Sequence, residues 1–211
     1  MRSLRNLCFS CMILFSWIIL SCNNEGSKTE ETTTTDSISK MDTGTQSMEP
    51  MPDTASVPMV NTATVTITGT YPDTAVNGMA NFESLSDGKV KMTLEITVPA
   101  KANKEVAVHL HEHGDCGDNG KASHGHWNPG NTQHGKWGSG SFHAGDIGNV
   151  KLDGKGKGST TLTTDIWTLG GKPDKNILGK AIIVHGGTDD YTTQPTGNAG
   201  SRIGCGVIQG K

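Results

Sequence analysis

Aromatic and charged residues are scarce in this 211-residue chain: Phe, Trp and Tyr make up 5% and Asp, Glu, Lys and Arg 18%. So few helix-forming charged residues, set beside 28 Gly, argue against a helical bundle or a coiled coil. Positive charge is not in excess either. A net charge of -3 and a pI near 6.2 exclude a generally basic nucleic-acid binder. No apolar run reaches the ~20 residues of a comfortable membrane-spanning helix; the run from Leu7 to Leu20 falls short. Downstream of that run no Cys-x-x-Cys spacing occurs, which removes the commonest thiolate metal sites.

What is present divides the chain into three. Residues 1–21 carry Arg2 and Arg5 ahead of the short apolar run, the pattern of a secretory signal. The run ends Ile19-Leu20-Ser21-Cys22, which resembles a bacterial lipobox and implies cleavage before Cys22 and lipid on its thiol. Residues 22–60 hold seven acids against two lysines, with Thr, Ser, Pro and almost no large apolar residue. Such a stretch cannot bury enough surface to offset its ordering entropy and is expected to be a disordered tether. Its Met41, Met48, Met51 and Met59 are soft thioethers that favour Cu(I), but a neutral spacer is the simpler reading. Residues 61–211 balance 14 acids with 14 bases and form the expected folded domain.

That domain reads as all-β. Thr62 to Thr68 alternates with period two, as a half-buried strand does. Ala75–Ser84 and Lys89–Val98 flank the turn Ser86-Asp87-Gly88, a hairpin signal. Further strands are expected at Glu105–Glu112, Asn149–Leu152, Ser159–Thr164, Leu178–His185 and Ile203–Ile208. The sum is an eight-stranded antiparallel sandwich or barrel, immunoglobulin-like, of ~150 residues. Gly114 to Gly148 breaks the alternation, and so long a loop in a compact domain is usually functional. Cys116 and Cys205 are an even pair left after the signal and Cys22. In an oxidising compartment they read as a disulfide; two metal-binding thiols are the alternative.

Seven of the eight His lie between Ala107 and Gly145. His109-Leu110-His111 falls in an expected strand, where the period of two turns both imidazoles to one side. His126, His134, His143 and Asp146 follow in the long loop, and His185 closes the seventh strand. Imidazoles with a carboxylate and no thiolate suit zinc or copper. Seven donors exceed one tetrahedral site, so two sites are required, or a shared ligand; an imidazole can bridge because each ring nitrogen binds a metal.

The strings His109-Leu110-His111-Glu112-His113-Gly114-Asp115-Cys116, Gly125-His126-Trp127-Asn128-Pro129, His143-Ala144-Gly145-Asp146-Ile147-Gly148-Asn149-Val150, Val184-His185 and Gly197-Asn198-Ala199-Gly200-Ser201-Arg202-Ile203-Gly204-Cys205 stand in order along the domain. From about residue 62 to 209 the chain resembles bacterial exported Cu/Zn superoxide dismutases. That resemblance implies a Greek-key β fold with a long metal-binding loop. It implies one copper per subunit held by His109, His111, His126 and His185, and one zinc held by His126, His134, His143 and Asp146, with His126 shared. Asp189 matches a carboxylate that ties ligands of the two sites together, Arg202 the active-site arginine that attracts the substrate anion, and Cys116 with Cys205 the family disulfide. Closing a loop of about 90 residues is worth ~4–5 kcal/mol in the chain-entropy model. The activity implied is conversion of two superoxide anions and two protons to O2 and hydrogen peroxide by Cu(II)/Cu(I) cycling, with catalytic roles for Arg202 and His126.

The implied setting is export, with a lipid anchor in a bacterial membrane on the periplasmic side or the cell surface, no nucleic-acid partner, and a homodimer compatible with the family. The competing reading is a copper- or zinc-binding lipoprotein that stores or delivers metal without turnover; it leaves Arg202 and His185 without a purpose. His113 and His124 match no ligand position and read as surface His. Residues 190–196 replace a longer charged loop, so attraction of the anion is expected to rest on Arg202 and on lysines such as Lys136 or Lys180. Trp127 and Trp137 are expected to pack the loop.

Overall fold

The computed structural model describes residues 56–211; the signal run, Cys22 and most of the tether, with Met41, Met48 and Met51, lie outside them. Nine strands follow in order: β1 Thr62–Gly69, β2 Asn77–Ser84, β3 Val90–Thr97, β4 Glu105–His111, β5 Gly148–Lys151, β6 Lys157–Thr164, β7 Ala181–His185, β8 Arg202–Val207 and β9 Gln209–Gly210. The eight expected strands are present with ends moved by one to three residues. The two-residue β9, which pairs with β1, adds to them. Strand β7 starts at Ala181 rather than Leu178 because Gly179, at φ 76°, turns the chain there.

All strand pairs are antiparallel and run in the order β5-β4-β7-β8-β1-β2-β3-β6, an all-β, nearly closed barrel. The connections β3–β4 and β6–β7 join strands that are not neighbours, the crossing pattern of a Greek key. Alternation explains the interior. Ala63, Val65 and Ile67 of β1, Ala80 and Phe82 of β2, and Val90, Met92, Leu94 and Ile96 of β3 point into one core.

Strand β4 is buried on both faces. Val106, Val108 and Leu110 enter the core, while His109 and His111 face the other way and are fully buried beneath the long loop. Covering the outer face is what makes this strand a rigid base for a site.

The loop between β4 and β5 is tied down at several points. Trp127 N donates to Leu110 O, Leu110 N to Gly145 O and Gly145 N to Trp127 O, so two loop segments lie against the β4 edge. Gly145 is required there, because a Cβ would run into the Leu110 carbonyl and the Trp127 backbone. Trp127 is buried in the core, Trp137 packs against it, and Trp167 donates through Nε1 to Ala144 O at 2.8 Å. Cys116 and Cys205 are joined in a disulfide with Cα atoms 5.7 Å apart, pinning the loop to β8.

Candidate metal centre

The register β4–β7–β8 sets the site. His109 lies opposite Ile183, and His185 lies opposite Arg202 where the β7–β8 register shifts. The loop then brings His126, His134, His143 and Asp146 over the outer face. All six His and Asp146 are buried. They form two groups whose donor atoms lie within 4.8 Å of one another: His109, His111, His126 and His185, and His126, His134, His143 and Asp146. His126 belongs to both.

Hydrogen bonds at the far side of each ring decide which nitrogen faces inward. His109 Nε2 bonds Asp189 Oδ2 at 2.9 Å, and its Nδ1 has no partner among the described residues. His111 Nδ1 donates to His124 O at 2.9 Å, leaving Nε2 3.4 Å from His185 Nε2. His185 Nδ1 reaches Gly200 O at 3.3 Å. The first pocket is therefore faced by His109 Nδ1 and by Nε2 of His111, His126 and His185. In the second pocket, His126 Nδ1, His134 Nδ1 and His143 Nδ1 lie 2.8, 2.9 and 3.3 Å from the Asp146 carboxylate. His126 thus turns one nitrogen to each pocket, and its Nε2 is a buried nitrogen without a protein partner. Buried unpaired nitrogens are costly and call for an explanation; His109 Nδ1 and His126 Nε2 have no partner among the described residues, and His134 Nδ1 and His143 Nδ1 lie close to the Asp146 carboxylate without hydrogen-bond geometry, an arrangement of donors that fits a pair of bound cations.

Outer partners fix these rings. Asp189 joins the two pockets: Oδ2 takes His109 Nε2, and Oδ1 takes His134 Nε2 at 2.9 Å and Tyr191 N at 2.7 Å. Gly197, at φ 64°, lies so close that a Cβ would collide with the Asp189 carboxylate and His134 Nε2. Asp146 Oδ2 accepts the backbone N–H of Gly135 and His143. Such partners set tautomer and orientation.

Electrostatics follow from the same contacts. Burial lowers the His109 ring below the ordinary imidazole range against the pull of Asp189, and holds His111 and His185 well below it, with nearby rings adding to the effect for those two. Burial draws His126 down to about 4, against an opposing hydrogen bond from Asp146. Neutral rings keep their lone pairs for metal. Burial alone would raise the two carboxylates; hydrogen bonds to Asp146 from the His126 ring and from the backbone N–H groups of His143 and Gly135, and to Asp189 from the His109 and His134 rings, outweigh it and keep both ionised.

The seven donors expected of the two pockets lie together in two groups, and Asp189 lies at their junction. Arg202 does more than the sequence indicated. Its Nη1 donates to Gly120 O at 2.7 Å and to Ser123 Oγ at 3.1 Å, and Nη2 donates to His124 O at 2.6 Å. It therefore braces the loop that carries His126, and its positive field bears on His111 and His185. Lys180 stacks over Trp127 with Nζ 5.1 Å from the ring centre, and Lys136 lies 5.9 Å from the Tyr191 ring centre.

Nothing in the sequence marks Gln194 as part of the site. Its amide oxygen accepts from His134 N and its Nε2 donates to His134 O, both at 2.9 Å, clamping the backbone of a pocket residue. A lone Gln in a polar stretch carries no signal of such a role. The short 190–196 segment thus holds the backbone of a pocket residue in place.

A Greek-key barrel carrying two histidine-rich pockets joined through one imidazole defines a dinuclear metal protein. The comparisons narrow the class. The family model described as copper/zinc superoxide dismutase (SODC) matches residues 76–208. A Cu-Zn superoxide dismutase of Aquifex aeolicus is 42% identical over 112 residues, 51% of this chain and 65% of that one, a little under two thirds of its length. One of Yarrowia lipolytica is 39% identical over 144 residues, 64% of this chain and 91% of that one. The crystal structure of the clock protein EA4 superposes with a TM-score of 0.63 at 32% identity, over 73% of this chain and 97% of that one. The chain belongs to the copper/zinc superoxide dismutase family, which uses copper and zinc, and its two pockets are built to take such ions.

Proposed function

We propose that this protein dismutates superoxide, with copper held by His109, His111, His126 and His185 and zinc by His126, His134, His143 and Asp146. The observation that carries this reading is His126, whose Nδ1 belongs to one pocket and whose unpaired Nε2 faces the other. Copper bound there would supply a one-electron couple, and zinc, with a single accessible oxidation state, would supply charge only.

The chain's own residues supply the rest. His126 is placed to hold and move a proton at Nε2, which has no protein partner among the described residues, while Nδ1 is held by Asp146 at 2.8 Å. Arg202 has five N–H donors and spends those of Nη1 and one of Nη2 on the loop. Its Nε–H and the second Nη2–H have no acceptor among the described residues and are free to bind a small anion. A permanent cation beside the pocket raises the local concentration of that anion. Burial of His109, His111 and His185 keeps protons from competing for the nitrogens that face the copper.

The same proposal places the protein outside the cytoplasm, lipid-anchored through Cys22 to a bacterial membrane on its periplasmic or outer face. It is supported by the Arg2–Cys22 pattern and by the disulfide, which persists in oxidising compartments. Cys22 lies outside the described residues, and mass spectrometry of the purified N-terminus tests it.

Copper and zinc content with stopped-flow superoxide decay tests the activity. Equimolar copper and zinc with rapid removal of superoxide is expected. Zinc alone, or copper without turnover, overturns the reading in favour of metal storage.

A further inference from the structure

Outside the two pockets a third group of donors stands on the surface. The donor atoms of Glu112, His113 and His124 lie within 4.8 Å of one another, all three residues are exposed, and the two imidazole centres are 4.4 Å apart. We propose that these three residues form an additional surface site for a divalent ion of the zinc type. Two imidazoles with one carboxylate, and a fourth position open to water, is a recognised zinc donor set. It is assembled from chain segments that follow β4 and precede His126, eleven residues apart between His113 and His124.

The scaffold around the group is already fixed. Glu112 N donates to Gly125 O at 3.0 Å and His113 N to Ser123 O at 3.2 Å, which aligns the two segments side by side. His124 sits at φ 60° and ψ −141°, a region that residues with a side chain rarely occupy. It is held there because its N–H donates to Lys121 O and its carbonyl accepts both His111 Nδ1 and Arg202 Nη2. The Glu112 carboxylate leans over Gly125, 4.0 Å from where a Cβ would stand.

Hydrogen bonds at these three residues run through backbone atoms, so the side-chain donors remain open to solvent. With the backbone of both segments fixed, only the three side chains have to be ordered on binding. An ion here would add positive charge next to Arg202, whose guanidinium shares the His124 carbonyl.

The probe is zinc chloride added to the purified protein already loaded with copper and zinc, read by competition with a chromophoric chelator. The wild type is expected to bind one further equivalent. The double variant H113F/H124G, in which Gly suits the backbone at 124, is expected to lose it while keeping the first two ions. Glu112→Gln is expected to weaken it by more than the ~10–100-fold typical of losing an outer-shell partner. A wild type that takes no third equivalent, or a double variant that still takes it, overturns the proposal. If the double variant loses the first two ions as well, the imidazole proton resonances of wild-type His113 and His124 decide. They shift with the third equivalent, or they stay unmoved and the proposal fails.

Discussion

Exchanging Asp189 for Asn alters one heavy atom at the junction of the two pockets. The carboxylate side chain is fully buried and accepts three N–H groups: His134 Nε2 and Tyr191 N on Oδ1, and His109 Nε2 on Oδ2. An amide offers one acceptor oxygen and one NH2 donor. The oxygen will take the Oδ1 position, where two donors converge, which sets the NH2 against His109 Nε2–H. That ring must leave a buried donor unpaired, at about 1–3 kcal/mol, or move its proton to Nδ1, the nitrogen that faces the copper pocket. Loss of an outer-shell partner typically lowers metal affinity 10–100-fold, which is about 1.4–2.7 kcal/mol. The two estimates agree in scale. Copper affinity should therefore fall 10–100-fold and zinc affinity by much less. Chelator competition run separately for each ion measures this, and long-range 15N correlation reads the His109 tautomer directly. Unchanged copper affinity, or preferential loss of zinc, would refute the reasoning.

Replacing Cys116 and Cys205 with Ser together removes a cross-link spanning 89 positions and should cost ~4–5 kcal/mol in the chain-entropy model, seen as a lower denaturation midpoint. Arg202→Ala should slow superoxide decay per bound copper roughly 10-fold or more and flatten its dependence on ionic strength, the copper content being measured because the side chain also braces the loop; Arg202→Lys should restore part of the salt dependence by restoring the charge. The metal-free protein should lose stability as pH falls from about 6.5 to about 4. Across that window His126 stays neutral when folded but takes a proton when unfolded, so the unfolded state binds more protons. His109, His111 and His185 shift in the same direction. Urea midpoints across that range check this, and a flat series contradicts neutral buried rings.

Much of the fold and centre was legible in the chain. Period-two alternation in β1 to β3 exists because one face packs and the other is wetted, so burial writes itself into sequence. The same period put His109 and His111 on one side of β4, and the chemistry of imidazole and carboxylate narrowed the metals to zinc or copper, while the assignment of one of each came from the family resemblance. The long loop was marked by the failure of alternation.

Other features had no local trace. Which nitrogen of each ring faces the metal depends on Asp189, on the His124 and Gly200 carbonyls and on Asp146, partners up to 80 positions away. Gln194 reaches His134 across 60 positions, and Arg202 braces carbonyls about 80 positions earlier in the chain. Taken one at a time, His113 and His124 were ordinary surface residues; pairing of their backbones with each other's neighbours made them a group with Glu112.

Donor identity, strand period and the cysteine pair were determined by the sequence alone, because each depends on residue type and local spacing. The orientation of every ring, the clamps on the loop and the third donor group were decided by the tertiary structure. They depend on register between distant segments, which only closure of the barrel establishes.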